Sequence, residues 1–260
     1  MNNILEAFSL KGKVAVVTGG AGMYGKQVGL ALCQAGATTY VTSRNRDSLQ
    51  SIVEDYRRHG CDVRALQLDQ SDDASVEAFK RQVIDESGRV DILVNNAVGR
   101  VMKDWDDAEG FARSMQINAT GLYLVTRAFG EIMKQQRSGS IINIGSIHGV
   151  IGPDASLYEG LGMDGYVPDY YFHKGGMINF TRFVASYYGR YNVRANCVIL
   201  GGLRSERNSE EFAARYGART FLGRMANDTD LMGAIVFLAS DASKYVTGSN
   251  LTVDGGYTAK

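Results

Sequence analysis

A parallel β-sheet wrapped on both faces by helices, an α/β doubly wound fold, is what this sequence predicts, and three observations carry it. Short apolar β-branched runs alternate with helix-period segments from end to end. The first such run leads through a glycine-rich turn into a helix. No internal repeat or low-complexity linker divides the 260 residues, enough for one domain, 1–260, with a substantial core and about seven strands.

The elements follow in order. KVAVVT at 13–18 has the all-apolar pattern of a parallel strand buried on both faces. GGAGMYG comes next, and Val28, Leu32 and Ala35 mark one face of a helix near 24–35. Further strand-like runs lie near 38–43, 62–68, 90–95, 140–145, 193–199 and 249–253. Helical patterns near 46–58, 72–87, 108–136, 169–189 and 229–239 separate them. Strands alternating with helices imply right-handed crossovers and a ligand site at the carboxyl ends of the strands. Two longer connections, 147–168 (with Pro153 and Pro168) and 200–225, both follow strand carboxyl ends. Loops of that length in a compact domain are usually functional, so both are expected to border the substrate.

Bulk composition excludes several classes. Lysine plus arginine number 28, as do aspartate plus glutamate, and a net charge of zero argues against nucleic acid or an anionic membrane as partner. Cys33, Cys61 and Cys197 are too few and scattered for a disulfide framework or a metal site, and no metal is expected. No apolar stretch approaches bilayer length, and MNNILEAFSLKGK lacks the basic start and apolar core of a signal peptide. A cytoplasmic protein is the expectation.

Two constellations carry chemistry. Gly19, Gly22 and Gly25 let the backbone turn tightly and approach a pyrophosphate, whose charge then meets a helix N-terminus. The plainer alternative is a strand-to-helix turn that needs glycine for its backbone angles. In DYYFHK, Tyr170 and Lys174 stand four apart and share a helix face. An ammonium beside a phenol favours the phenolate and eases proton transfer. The spacing alone also arises by chance in many helices.

Taken in order along the chain, these fragments resemble the short-chain dehydrogenase/reductase family, in its short single-domain form on the Rossmann fold. TGGAGMYG at 18–25 is similar to the family's cofactor loop, with Gly19, Gly22, Met23, Tyr24 and Gly25 in it. Asp69 of LD matches an adenine-contacting acid, and NNA at 95–97, with Asn96 and Ala97, matches NNAG with Val98 in place of the glycine. INATG places Asn118 at a structural and proton-relay position. INIGS ends at Ser146, matching the catalytic serine, and YYFHK aligns Tyr170 and Lys174 with the family's tyrosine and lysine. SNLTVDGGY resembles the final strand and tail.

Three features depart from the short members. Met23 replaces a glycine, giving a TGxxGxxG loop as in longer sugar-nucleotide epimerases and dehydratases. Leu200 replaces the proline of the usual Pro-Gly in ILGGLRS. Ser146 and Tyr170 lie 24 positions apart, further than usual, through the insertion YEGLGMDGYVPDYY. A YEG-containing insertion is similar to oxidoreductases of bacterial surface-sugar pathways, flagellin glycosylation included.

The resemblance implies an NAD(P)-dependent oxidoreductase that interconverts a secondary alcohol and a ketone, on a sugar, polyol or sugar derivative. Tyr170 would transfer the proton, Lys174 would assist it and hold the nicotinamide ribose, Ser146 would hold the substrate oxygen, and Asn118 would anchor a relay water. Gly201, Leu203 and Ser205 fall where the family contacts the nicotinamide and phosphate. His148, two residues past Ser146, is a candidate substrate contact. At the second strand's end, YVTSRNRD offers Ser43 and Arg44 and no carboxylate for an adenosine 2′-hydroxyl. A guanidinium there suits a 2′-phosphate, so NADP is expected, with NAD the alternative. Arg204, Arg207, Arg215, Arg219 and Arg224 in 200–225 could meet an anionic substrate or form a solvated face. The competing readings are an epimerase or dehydratase with tightly bound NAD, against which nothing follows DGGYTAK to form a substrate domain, and a non-catalytic dinucleotide sensor. Leu122, Phe129, Phe180, Phe183, Tyr187 and Tyr188 enrich the helices near 108–136 and 169–189, which in the family pair across a two-fold axis. A homotetramer is therefore expected, with a dimer as the alternative.

Overall fold

The computed structural model describes residues 3–162 and 167–260. Among these, seven strands form one sheet: β1 (Val14–Val17), β2 (Thr38–Ser43), β3 (Val63–Gln67), β4 (Ile92–Asn95), β5 (Gly139–Ile144), β6 (Val193–Leu200) and β7 (Asn250–Val253). Their spatial order is β3-β2-β1-β4-β5-β6-β7, and every pairing is parallel. The chain therefore returns across β1 to begin β4, and the switch point between these two strands opens at their carboxyl ends.

Burial on both faces explains the apolar runs. Ala15 and Val17 of β1 join one core cluster, and Val14 and Val16 join the other. The first core takes Val28 and Leu32 of α1 (Met23–Gln34), Ile52 and Tyr56 of α2 (Arg46–Arg58), and Ile235 and Leu238 of α8 (Met232–Ala239). The second takes Phe79 of α3 (Asp73–Ser87), Phe129 of α5 (Gly121–Gln136) and Val184 of α6 (Pro168–Gly189). Each such side chain withdrawn from water contributes roughly 1.5–3 kcal/mol before entropy is counted.

Polar residues set the helix starts. Asn45 accepts from the N–H groups of Asp47 and Ser48 to begin α2, and Asp72 accepts from Ala74 to begin α3. Pro168 sits in the first turn of α6, where its missing N–H costs nothing.

Three boundaries differ from the sequence expectation. The long helix near 108–136 divides into α4 (Ala108–Met115), a π-helical turn Gln116–Thr120, and α5. The connection 200–225 holds a further helix, α7 (Glu210–Gly217), because Ser209 caps it by accepting from the Phe212 N–H. The helix near 229–239 starts only at Met232. Residues 163–166 of the YEG-containing insertion lie outside the described residues.

A buried polar ladder ties the site-bearing helix to the sheet. The Asn95 side-chain amide donates to the Thr126 hydroxyl of α5 at 3.0 Å and to Asn143 Oδ1 of β5 at 2.8 Å. Asn143 in turn donates to the Thr181 hydroxyl of α6 at 2.8 Å. The ladder runs from α5 through β4 and β5 to α6, and severing any rung leaves a buried donor or acceptor unpaired.

Candidate active site

A cleft of about 360 Å³ opens at the carboxyl ends of β1, β2, β4, β5 and β6. The glycine loop forms its floor. Gly19 has φ +63°, and a Cβ on Gly25 would lie 2.2 Å from the Gly19 carbonyl oxygen, so neither position tolerates a side chain. Helix α1 has Gly22 at its N-cap, hence no side-chain cap, and no acidic residue in its first turn. Its leading N–H groups therefore suit a phosphate. The Asn96 amide braces this loop by donating to the Thr18 and Gly19 carbonyls at 3.0 and 2.9 Å. The Thr18 hydroxyl accepts from the Asn96 and Ala97 N–H groups, both at 3.0 Å. On the opposite side the Tyr24 hydroxyl donates to the Gly201 carbonyl at 2.6 Å, and burial pushes its phenol well above its ordinary range.

At one end, Thr42, Ser43 and Arg44 line the cleft together with Asp69. Arg44 is exposed, forms no ion pair among the described residues, and has its carbonyl held by the Gln67 amide. The Asp69 carboxyl is held below its usual range mainly by the Ser71 hydroxyl, with the Arg44 charge adding a smaller effect. A group carrying a ribose phosphate meets a cation here and no opposing carboxylate from β2.

At the far end α6 brings Tyr170 and Lys174 against β5. Lys174 is almost fully buried, and its ammonium donates to the Ile144 carbonyl at 2.5 Å. Burial lowers its affinity for the proton, opposed by the nearby Tyr170 and Cys197 and reinforced by Arg100. Its Nζ lies 5.7 Å from the centre of the Tyr170 ring. The Arg100 guanidinium covers the same ring at 4.5 Å. Ser146 lies two residues past the end of β5, and its hydroxyl accepts from the His148 N–H at 3.2 Å, capping the turn Ile147–Gly149.

Asn118 lies on the π-helical turn and points inward. Its Oδ1 accepts from the Gly99 N–H and its Nδ2 donates to the Gly99 carbonyl, each at 2.8 Å. The same amide donates to Ser114, whose hydroxyl donates to the Asp169 carboxylate. Asn118 thus clamps the peptide immediately before Arg100.

The cleft gathers Gly19, Gly22, Met23, Tyr24, Ser43, Arg44, Asp69, Asn96, Ala97, Ser146, Tyr170, Lys174 and Gly201, with Gly25 packed beneath the loop. Leu203 and Ser205 do not line it. Leu203 bridges to Ala226, and the Ser205 N–H and hydroxyl both donate to Asn208. His148 faces a second, largely apolar cavity of about 720 Å³ with Trp105, Pro153 and Tyr171. Four loop arginines are ion-paired: Arg204 with Glu210, Arg215 with Glu211, Arg219 with Asp154 and Arg224 with Asp230. Sequence reasoning missed Arg100, whose signal was a basic residue directly after NNAVG at the end of a strand. No cluster of metal-ligating side chains occurs among the described residues, and no helix there is long and apolar enough to cross a membrane.

Comparisons with known proteins agree with this geometry. Residues 21–258 match a family described as enoyl-(acyl carrier protein) reductase. The chain is 34% identical over 255 residues to a cyclopentanol dehydrogenase of Comamonas sp., covering 95% of this chain and 97% of that one. It is 33% identical over 272 residues to a 2-dehydro-3-deoxy-D-gluconate 5-dehydrogenase of Escherichia coli, covering 99% and 100%. A crystal structure of a gluconate 5-dehydrogenase from Burkholderia cenocepacia, in complex with NADP and tartrate, superposes with a TM-score of 0.88 at 28% identity, covering 99% of this chain and 100% of that one. The chain belongs to the short-chain dehydrogenase/reductase family.

Two histidines beside Tyr170 give a pH prediction. Burial, with Arg100 nearby, pushes His148 down to about 4. Burial, Lys174 and Arg100 push His173 down to about 3, and neither of its ring nitrogens has a partner among the described residues. Both stay neutral in the folded protein while the unfolded chain binds protons below about 6.5, so stability falls with pH from there downward. By pH 5 the loss is about 2 kcal/mol from His173 and less from the half-buried His148. Urea midpoints at pH 7 and pH 5 measure it: wild type should drop, and His173→Gln should drop less. Equal drops in the two proteins would contradict the burial of a neutral imidazole.

Proposed function

We propose that the protein is an NADP-dependent oxidoreductase that interconverts a secondary alcohol and a ketone on a polyol or sugar-like small molecule, the whole chain acting as one domain. The observation that carries this reading is Tyr170 and Lys174 on one face of α6 at the reacting end of a dinucleotide-shaped cleft. The relatives named as dehydrogenases of cyclopentanol and of sugar acids support the reaction class.

The glycine loop and the start of α1 would take the pyrophosphate, Asp69 the adenine side, Arg44 the 2′-phosphate, and Asn96, Ala97, Lys174 and Gly201 the nicotinamide half. When bound, the nicotinamide supplies or accepts the hydride. Tyr170 gives its phenolic proton to the carbonyl oxygen during reduction and takes the hydroxyl proton during oxidation. Lys174, fixed by the Ile144 carbonyl, keeps a positive charge beside that oxygen. Ser146 donates to the substrate oxygen as charge develops there. Asn118 acts as a positioning residue, since its amide is committed to Gly99 and Ser114. A place among the surface-sugar oxidoreductases rests on the YEG-containing insertion. A cytoplasmic location is part of the same reading.

Tyr170→Phe removes only the transferable proton. It should keep NADP binding and lose about 10²–10⁴-fold in turnover, as expected when a general acid is removed. Absorbance of the reduced nicotinamide, followed over a panel of sugars, polyols and cyclic alcohols, reads this out, and near-normal turnover in the variant would sink the assignment.

Cofactor choice is tested at Arg44. Exchanging it for aspartate should shift the ratio of kcat/KM for NADP over NAD toward NAD by about 10–100-fold, the value of one or two charge-assisted hydrogen bonds. A wild type that uses NAD at least as well as NADP would refute the reading.

Assembly follows from surface composition. Phe172, Phe183 and Tyr187 of α6 and Tyr123 of α5 are 66, 62, 45 and 48% exposed. An apolar face of this kind needs cover, and a homotetramer built on these helices supplies it. Light scattering should return about four times the 28.3 kDa chain mass; a stable monomer would rule assembly out.

A further inference from the structure

We propose that Arg100 selects the substrate: its guanidinium, held over Tyr170, receives the carboxylate of a small polyhydroxy acid, or of its keto form, whose neighbouring carbon reacts at Tyr170. This deepens the oxidoreductase reading above and rests on it. Four observations support it.

The first is position. Arg100 lines the cleft and lies 4.5 Å over the face of the tyrosine ring, among Ser146, Lys174 and the strand ends of the reacting region. The second is availability. Arg100 is exposed and has neither a hydrogen bond nor an ion pair among the described residues, so its planar fork of donors is free for a carboxylate.

The third is preorganisation. The Gly99 peptide is gripped through both its N–H and its carbonyl by Asn118, which is 4% exposed. The residue that follows therefore leaves a fixed backbone, and stacking on the ring restricts its side chain further. A cation held in place loses less entropy on binding an anion.

The fourth is charge balance. Lys174 and Arg100 both bring positive charge to Tyr170. Of the other titratable groups around that ring, His148 and His173 remain neutral, and Tyr24, Tyr158 and Tyr171 are phenols. Asp169, next to Tyr170 in sequence, accepts from the Ser114 hydroxyl and offsets at most one of the two positive charges. No carboxylate forms an ion pair with Arg100 or Lys174 among the described residues. A ligand with one negative charge offsets this excess. A nucleoside-diphosphate sugar would bring more charge than one guanidinium matches, and Arg204, Arg215, Arg219 and Arg224 are already neutralised by their own carboxylates.

The test compares D-erythronate with erythritol, which has the same carbon count and no charge. Binding is measured calorimetrically to the enzyme saturated with the reduced form of its cofactor, so neither alcohol can be oxidised. Wild type should bind erythronate at least tenfold more tightly than erythritol. Arg100→Met should abolish that preference through the loss of at least tenfold in erythronate affinity, and Arg100→Lys should keep part of it.

A wild type without preference, or an Arg100→Met variant that retains it, overturns the proposal. Tighter, Arg100-dependent binding of erythritol 4-phosphate than of erythronate would overturn the assignment to a carboxylate. Because the readout is binding, its failure is separate from failure of the oxidoreductase reading, which shows as absence of nicotinamide reduction with every alcohol.

Discussion

A lysine ammonium held almost entirely out of water is the constraint on which the site depends. Desolvation works against the charge on Lys174, and the Ile144 carbonyl at 2.5 Å is the partner that keeps the ammonium placed. That carbonyl is the last of β5, so the lysine is registered against the sheet itself. Tyr170, one helical turn earlier, inherits the same registration. Any shift of α6 along β5 would break the bond and move both groups together.

The remaining polar architecture keeps α6 from making that shift. Asn95, Asn143 and Thr181 connect the centre of the sheet to α6 two turns beyond Lys174. At its other end, Asp169 accepts from Ser114, which is bonded to Asn118. The helix is therefore fastened on both sides of its functional pair by buried groups that would be costly to unpair. The π-helical turn belongs to this arrangement: an extra residue in the helix rotates Asn118 inward, and such bulges concentrate at functional positions.

Much of this was legible in the sequence. The seven parallel strands follow from β-branched runs that need no alternation because both faces are buried, as Val14 to Val17 show. The glycine loop and the Tyr170–Lys174 pair were legible because each needs only local spacing. What escaped depends on contacts between distant segments. The helix period continues through 108–136, so nothing local marks the π turn that carries Asn118, whose partner Gly99 lies 19 positions earlier. Arg100 gains meaning only when the segment after β4 folds over the first turn of α6. The Glu211–Arg215 pair could be read from its spacing, but Arg219 pairs with Asp154, 65 positions away, so the fate of the loop arginines required the fold. Leu203 and Ser205 point elsewhere because Ala226 and Asn208 claim them.

One cleft runs from Arg44, the proposed 2′-phosphate end, to Tyr170 and Lys174, the proposed reacting end. A crystal structure of the protein with NADP is the decisive measurement. The 2′-phosphate should lie against Arg44, the pyrophosphate at the start of α1, and the nicotinamide ribose should be hydrogen-bonded to Lys174 with its ring beside Tyr170. A dinucleotide bound outside this cleft, or bound with its nicotinamide toward Arg44, would contradict it.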